Sequence, residues 1–247
     1  MRRGLALLFA VAAVAAACGG GGGPPRVTVL AAASLSSAFG GMKAGLERGA
    51  DAARVTFSFA GSQQLVADVE QGAPADVVAT ADDVTMSRLV DGGHVDGIPR
   101  PFAHNRLAIA VATGNPKHVA GLADLARPDL DVVLAAPAVP AGRYAADVLR
   151  RAHVAVRPVS LEESVTGALT KVELGEADAA IVYVTDISGR GRVAAVAIPD
   201  DQNVVATYYI AVLRGRQRAG GRFVDFVVSD AGRAALQRAG FVPAMPA

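Results

Sequence analysis

Ser34 and Ser62 carry the clearest chemistry on this chain. Each follows an apolar stretch and small residues: Ala31, Ala32 and Ala33 before Ser34, and Ala60 and Gly61 before Ser62. Each also precedes apolar residues at helical spacing, which after Ser34 are Leu35, Ala38, Phe39, Met42 and Leu46. A serine so placed has the chemistry of a helix N-cap. The first turn behind it carries N–H groups without intrahelical partners, at the positive end of the helix dipole. Ala141 and Val165 open two further helices in the same way, again after short turns. In open α/β sheets ligands bind beyond the carboxyl ends of strands, where all four turns lie. Converging helix starts offer amides and hydroxyls without formal charge, a donor set suited to a small anion. A bond from a neutral donor to a charged acceptor is worth ~1.5–3 kcal/mol net, so several together can hold a desolvated dianion without an arginine. These turns carry almost no carboxylates to accept a proton from an anion such as hydrogen phosphate. A fully deprotonated, tetrahedral dianion fits them better.

Catalytic constellations do not stand out. The chain has no Gly-x-Ser-x-Gly elbow, no His-Glu-x-x-His, no phosphate loop and a single cysteine. A hydrolase using Ser34 or Ser62 as nucleophile would need a histidine within hydrogen-bond reach. His94, His104, His118 and His153 fall in turns or surface segments, far from both serines in sequence. The residues therefore read as a binding site and not an active site, with no cofactor.

The elements that must position these turns alternate strand and helix. Apolar strands are expected over 27–30, 55–59, 77–81, 107–112, 132–136, 179–183, 193–198 and 208–213. Helices are expected to begin at Ser34 and near Ser62, and over 82–94, 144–151, 162–174, 223–228 and 231–239, with a short one at 122–125. That alternation means α/β with parallel sheets. Pro/Gly breaks at 99–105 and 202–207 are places for the chain to cross between two lobes, 27–104 plus 209–247 and 105–208. Closure would then come from a hinge between lobes.

The N-terminus reads as an export signal. Met1-Arg2-Arg3 and the apolar run 5–17 have signal-peptide length, shorter than the ~20 residues a membrane span needs. Residues 1–17 are expected to be removed. The run of alanines before Cys18 resembles a lipoprotein cleavage site, and Cys18 would carry the acyl group. Residues 18–26, rich in glycine and proline, would form a flexible tether. Loss of Arg2 and Arg3 leaves 22 Lys and Arg against 23 Asp and Glu, so net charge moves from +1 to −1. That balance leaves no electrostatic footprint for nucleic acid. With one cysteine, no internal disulfide can form.

Six stretches in order carry a family resemblance: 31–35 (Ala-Ala-Ala-Ser-Leu), 59–62 (Phe-Ala-Gly-Ser), 72–76 (Gly-Ala-Pro-Ala-Asp), 139–144 (Val-Pro-Ala-Gly-x-Tyr), 165–169 (Val-x-Gly-Ala-Leu) and 181–183 (Ile-Val-Tyr). Together they resemble the periplasmic molybdate-binding proteins of ABC importers, the ModA family, over residues 27–241. The resemblance implies a two-lobed periplasmic-binding-protein fold of type II, each lobe a sheet flanked by helices, with the oxyanion in the cleft. It implies hydroxyls and amides from Ser34 and Ser62, amides from Ala141 and Val165, and the phenol of Tyr183 closing the site. Molybdenum would be held only as the bound oxyanion. It also implies an extracytoplasmic, monomeric lipoprotein that delivers molybdate, and tungstate as well, to a membrane permease. The same fold tuned to sulfate is the alternative. Ala136-Pro137 stands where the family often has Asp-Pro, in a turn one residue short, and Gly61 and Gln63 replace serines common beside Ser62.

Overall fold

The computed structural model describes residues 26–48 and 53–245; the leader, Cys18 and most of the tether lie outside them. Strand β1 (Arg26–Ala32) begins one residue inside the expected tether, because Arg26 pairs in register with Arg54 of the neighbouring strand. A 3-10 turn (Ala33–Leu35) leads into α1 (Ser36–Leu46). Then follow β2 (Arg54–Ala60), α2 (Ser62–Glu70), β3 (Val77–Thr80) and α3 (Asp83–Asp91). The helices bury one side each, as with Ala38, Phe39 and Met42 of α1, and Leu65, Val66 and Val69 of α2.

β4 (Val95–Ala112) is a single strand of 18 residues. The break expected at 99–105 is absent. Pro99 falls inside the register irregularity between Asp96 and Arg100, and Pro101, opposite Tyr209, borders the one between Pro101 and Ala103, the kind of position where a strand tolerates proline. The chain continues through a 3-10 turn (Leu122–Ala126), β5 (Val132–Ala135), α4 (Pro140–Arg151), β6 (Ser160–Glu162) and α5 (Val165–Leu174). α5 starts three residues later than the expected 162, because Glu162 ends the β6 pairing and Ser164 accepts from the N–H of Gly167 at 3.0 Å as the cap. Then come β7 (Ala179–Tyr183), α6 (Val184–Ile187), β8 (Val193–Ala197), β9 (Val205–Leu213), α7 (Gln217–Val228), α8 (Asp230–Arg238) and β10 (Val242–Pro243).

Strand order is β2-β1-β3-β9-β4-β7-β5-β6, with β8 and β10 also on β4. β1, β2 and β3 run parallel, and β9 and the first half of β4 close that sheet antiparallel. The second half of β4 pairs with β7 and β8, and β7, β5 and β6 run parallel. β4 thus serves both lobes. It leaves β9 after Arg106, opposite Val205, and meets Tyr183 of β7 at Leu107. The two crossings fall at 106/107 and just before 205. Both lobes place the carboxyl ends of their parallel strands toward the cleft between them. The first is held together by an aromatic cluster, with Phe39 fully buried at 5.7 Å from Phe57, 6.0 Å from Phe102 and 5.6 Å from Phe223. Phe39→Ala removes the centre of that cluster and is expected to cost about 3–5 kcal/mol, read as a lower urea midpoint with an unchanged slope.

Candidate functional site

The turns at the four helix starts meet in the cleft around one cavity. Its lining includes Ala33, Ser34, Gly61, Ser62, Ala141, Val165 and Tyr183, so all five residues expected from the sequence come together. The cavity volume is about 10 Å³, on the scale of a single water molecule. Ala141 is the second residue of α4 behind Pro140, and Val165 is the first residue of α5. Both belong to first turns, whose N–H groups lack intrahelical acceptors.

The serines do not cap their helices as expected. Ser34 lies inside the 3-10 turn, and α1 starts at Ser36 with no side-chain cap. Its hydroxyl is instead 2.9 Å from the Tyr208 hydroxyl. Ser62 is the first residue of α2, with Gly61 in the cap position. Its oxygen accepts the N–H of Ala81 at 3.1 Å, a bond that ties α2 to the end of β3. Tyr208 could not be found from the sequence, because it comes within reach of Ser34 only through the pairing of β9 with β3 and β4.

Tyr183 ends β7 with 1% of its surface exposed, and its phenol oxygen has no hydrogen-bond partner among the described residues. A buried, unsatisfied hydroxyl costs on the order of 1–3 kcal/mol. Burial, with the neighbouring Tyr208 hydroxyl, pushes the Tyr183 phenol well above its usual range. Burial does the same to Tyr208. Both stay protonated, and both can donate. The rings meet edge to face at 5.7 Å.

Two charged groups beside the cavity lining are paired with one another. Asp82, next to the lining residue Ala81, accepts from Arg143, two residues beyond Ala141. Glycine permits the close approaches that shape the walls. A Cβ on Gly142 would lie 2.1 Å from the carbonyl oxygen of Ala136, and one on Gly61 would lie 2.4 Å from that of Glu163. No histidine lines the cavity, and among the described residues no cluster of His, Cys, Asp or Glu could hold a metal ion. The serine hydroxyls face Tyr208 and Ala81 with no base beside them, which leaves the hydrolase reading without its second residue.

A family described as bacterial extracellular solute-binding protein matches residues 27–242. The chain belongs to that family. This solute-binding protein is 43% identical over 218 residues to the molybdate-binding protein ModA of Mycobacterium tuberculosis, covering 87% of this chain and 84% of that one. Among solved structures, the sulfate-binding protein SubI of the same species superposes with a TM-score of 0.78 at 22% identity, covering 90% of this chain and 88% of that one. The periplasmic molybdate-binding protein of Azotobacter vinelandii gives 0.73 at 17% identity, covering 90% of this chain and all of that one. The fold of this solute-binding protein is therefore the two-lobed one shared by these relatives. Among the described residues no helix is long and apolar enough to cross a membrane.

Behind the cavity, Asp186 accepts the N–H of Tyr183 at 3.1 Å and so holds the end of β7. Burial raises its carboxyl from 3.8 to about 7, against the lowering influence of that bond and of Arg190. The folded state therefore holds this proton more tightly than the unfolded chain does, and stability should fall as pH rises from about 4 through about 7. The full difference corresponds to roughly 4 kcal/mol. Asp186→Asn keeps the acceptor and removes the titration, so its unfolding temperature should lack this fall when both proteins are scanned from pH 4 to pH 8.

Proposed function

We propose that this solute-binding protein captures molybdate, and tungstate with it, outside the cytoplasm and delivers it to the membrane permease of an ABC importer. The observation that carries the reading is the unpartnered phenol of Tyr183, which lines a cavity at the first turns of four helices. In this reading Ser34 and Ser62 give hydroxyls and amides, Ala141 and Val165 give amides, and Tyr183 gives its O–H across the cleft. The hydroxyl bonds set the direction of donation. The N–H of Ala81 already donates to Ser62, so the serine proton points elsewhere. When Tyr208 donates to Ser34, that serine also presents its proton to the ligand. Such a site is rich in donors and poor in acceptors, and it favours an oxyanion with no proton of its own. The identity to a molybdate-binding relative supports molybdate over sulfate.

The protein performs no chemistry on its ligand in this reading. It works as a monomer without a cofactor or nucleic-acid partner, and Cys18 carries the lipid that holds it at the membrane. The test is thermal unfolding with molybdate, tungstate, sulfate and phosphate added separately. A ligand at 100 times its dissociation constant should stabilise by ~2.7 kcal/mol. Molybdate and tungstate should reach that level at concentrations where sulfate and phosphate give little; equal shifts with sulfate would overturn the molybdate assignment. Ser34→Ala and Tyr183→Phe should each weaken molybdate binding roughly 10- to 100-fold; the ligand-free unfolding temperature should hold or rise in Tyr183→Phe, which removes an unsatisfied hydroxyl, and fall in Ser34→Ala, which takes the partner from the buried Tyr208 hydroxyl. Unchanged affinity in both variants would place the site elsewhere.

A further inference from the structure

Two polar contacts join the walls of the cleft without lining the cavity. The side-chain amide of Gln63, on α2, donates to the carbonyl oxygen of Glu163, just before α5, at 2.8 Å. The other is an ion pair: Nε and Nη2 of Arg143 both donate to one carboxylate oxygen of Asp82, the former at 2.9 Å. Asp82 comes from the first lobe and Arg143 from α4 of the second.

Each partner is already fixed within its own lobe. The other oxygen of Asp82 accepts the N–H of Thr85 at 3.0 Å and caps α3. The remaining guanidinium nitrogen of Arg143 donates to the carbonyl of Ala138 at 2.6 Å, in the turn that leads to Ala141. The Asp82 side chain is 3% exposed and that of Arg143 28%. Neither side chain needs to reorganise to meet the other. Separating the lobes would return a buried carboxylate to water and break two charge-assisted bonds at once. The pair flanks the cavity on both sides, since Ala81 and Ala141 line it one and two residues away.

We propose that Asp82 and Arg143 are positioning residues that latch the closed cleft and set how long the bound oxyanion is retained. The latch rests on the proposed oxyanion-binding function. It neutralises Arg143, so the guanidinium holds the walls together without adding a net charge beside the ligand. Its effect falls on escape and not on entry, because the two partners meet only once the lobes have closed. Losing one partner of a largely buried pair acts chiefly on dissociation.

Stopped-flow binding and release of molybdate separate the two rates. Asp82→Asn is the clean variant, because asparagine caps a helix as well as aspartate does; Arg143→Gln is its counterpart. Each should speed molybdate dissociation about 30-fold or more, with association and the ligand-free unfolding temperature little changed. The double variant should release molybdate no faster than either single one, since both remove the same interaction. Unchanged dissociation in the single variants would overturn the latch, as would effects that multiply in the double variant. A fall in ligand-free unfolding temperature that accounts for the faster release would also overturn it, by marking a structural role only. Wild-type protein that binds molybdate while the variants release it normally refutes the latch alone. Wild-type protein that binds none of the four oxyanions refutes the function, and the latch with it.

Discussion

Everything around the cleft follows from the difficulty of burying a phenol hydroxyl without a partner. A fold does not leave such a group unsatisfied at no cost, and here it stands at the end of β7 with 1% exposure, facing the first turns of four helices. Those turns carry the same deficit, since helix starts hold N–H groups that the helix cannot satisfy. Gathering so many unsatisfied donors into one small volume is unfavourable for the protein by itself. In the proposed function it becomes favourable when one acceptor with several oxygens enters. The site and its selectivity are then one constraint, because a ligand that brings protons adds donors to a place that lacks acceptors.

The topology is what allows donors from distant parts of the chain to share that volume. Parallel strands present helix starts at their carboxyl ends, and two such sheets facing each other bring four starts together. β4 makes the arrangement possible by running through both sheets without interruption. Pairing β9 with its first half and β7 with its second also sets Tyr208 edge to face against Tyr183 at 5.7 Å. The aromatic contact therefore joins the two lobes where β4 changes partners, beneath the cavity.

What the sequence revealed and what it concealed divide along the same line. The helix starts at Ser34, Ser62, Ala141 and Val165 were legible because strand, small turn and helix are signals within a dozen residues, and six short motifs then tied them to a family. The bonds of the two serines were not legible. Capping is the local option for a serine at a helix start, and it lost to partners 174 residues away for Ser34 and 19 away for Ser62. The prolines of β4 misled for a related reason. Proline breaks a strand by local rules, yet here the irregularities in register absorb it, a fact set by β9. Asp82 and Arg143, 61 residues apart, gave no local sign of their pairing.

The walls of the cavity are mostly alanine, glycine and serine, and this bears on how the site can discriminate. Gly61 and Gly142 stand where any Cβ would meet a carbonyl oxygen at 2.4 and 2.1 Å, so the helices approach as closely as main chain allows. Ala33, Ala141 and the other alanines of the lining add little that could rotate aside. A site bounded by long side chains can adapt to ligands of different radius by changing rotamers, whereas helix starts locked to their strands cannot. For the proposed oxyanion ligand, its oxygens would have to match the spacing of amides that the fold has already set, and tetrahedral anions differ from one another mainly in that spacing. The absence of a free charge reinforces the effect: a bare arginine in the cavity would attract any anion over a range of distances, while short hydrogen bonds reward only the one that fits. Pairing Arg143 with Asp82 keeps that long-range attraction out of the cavity and leaves discrimination to geometry.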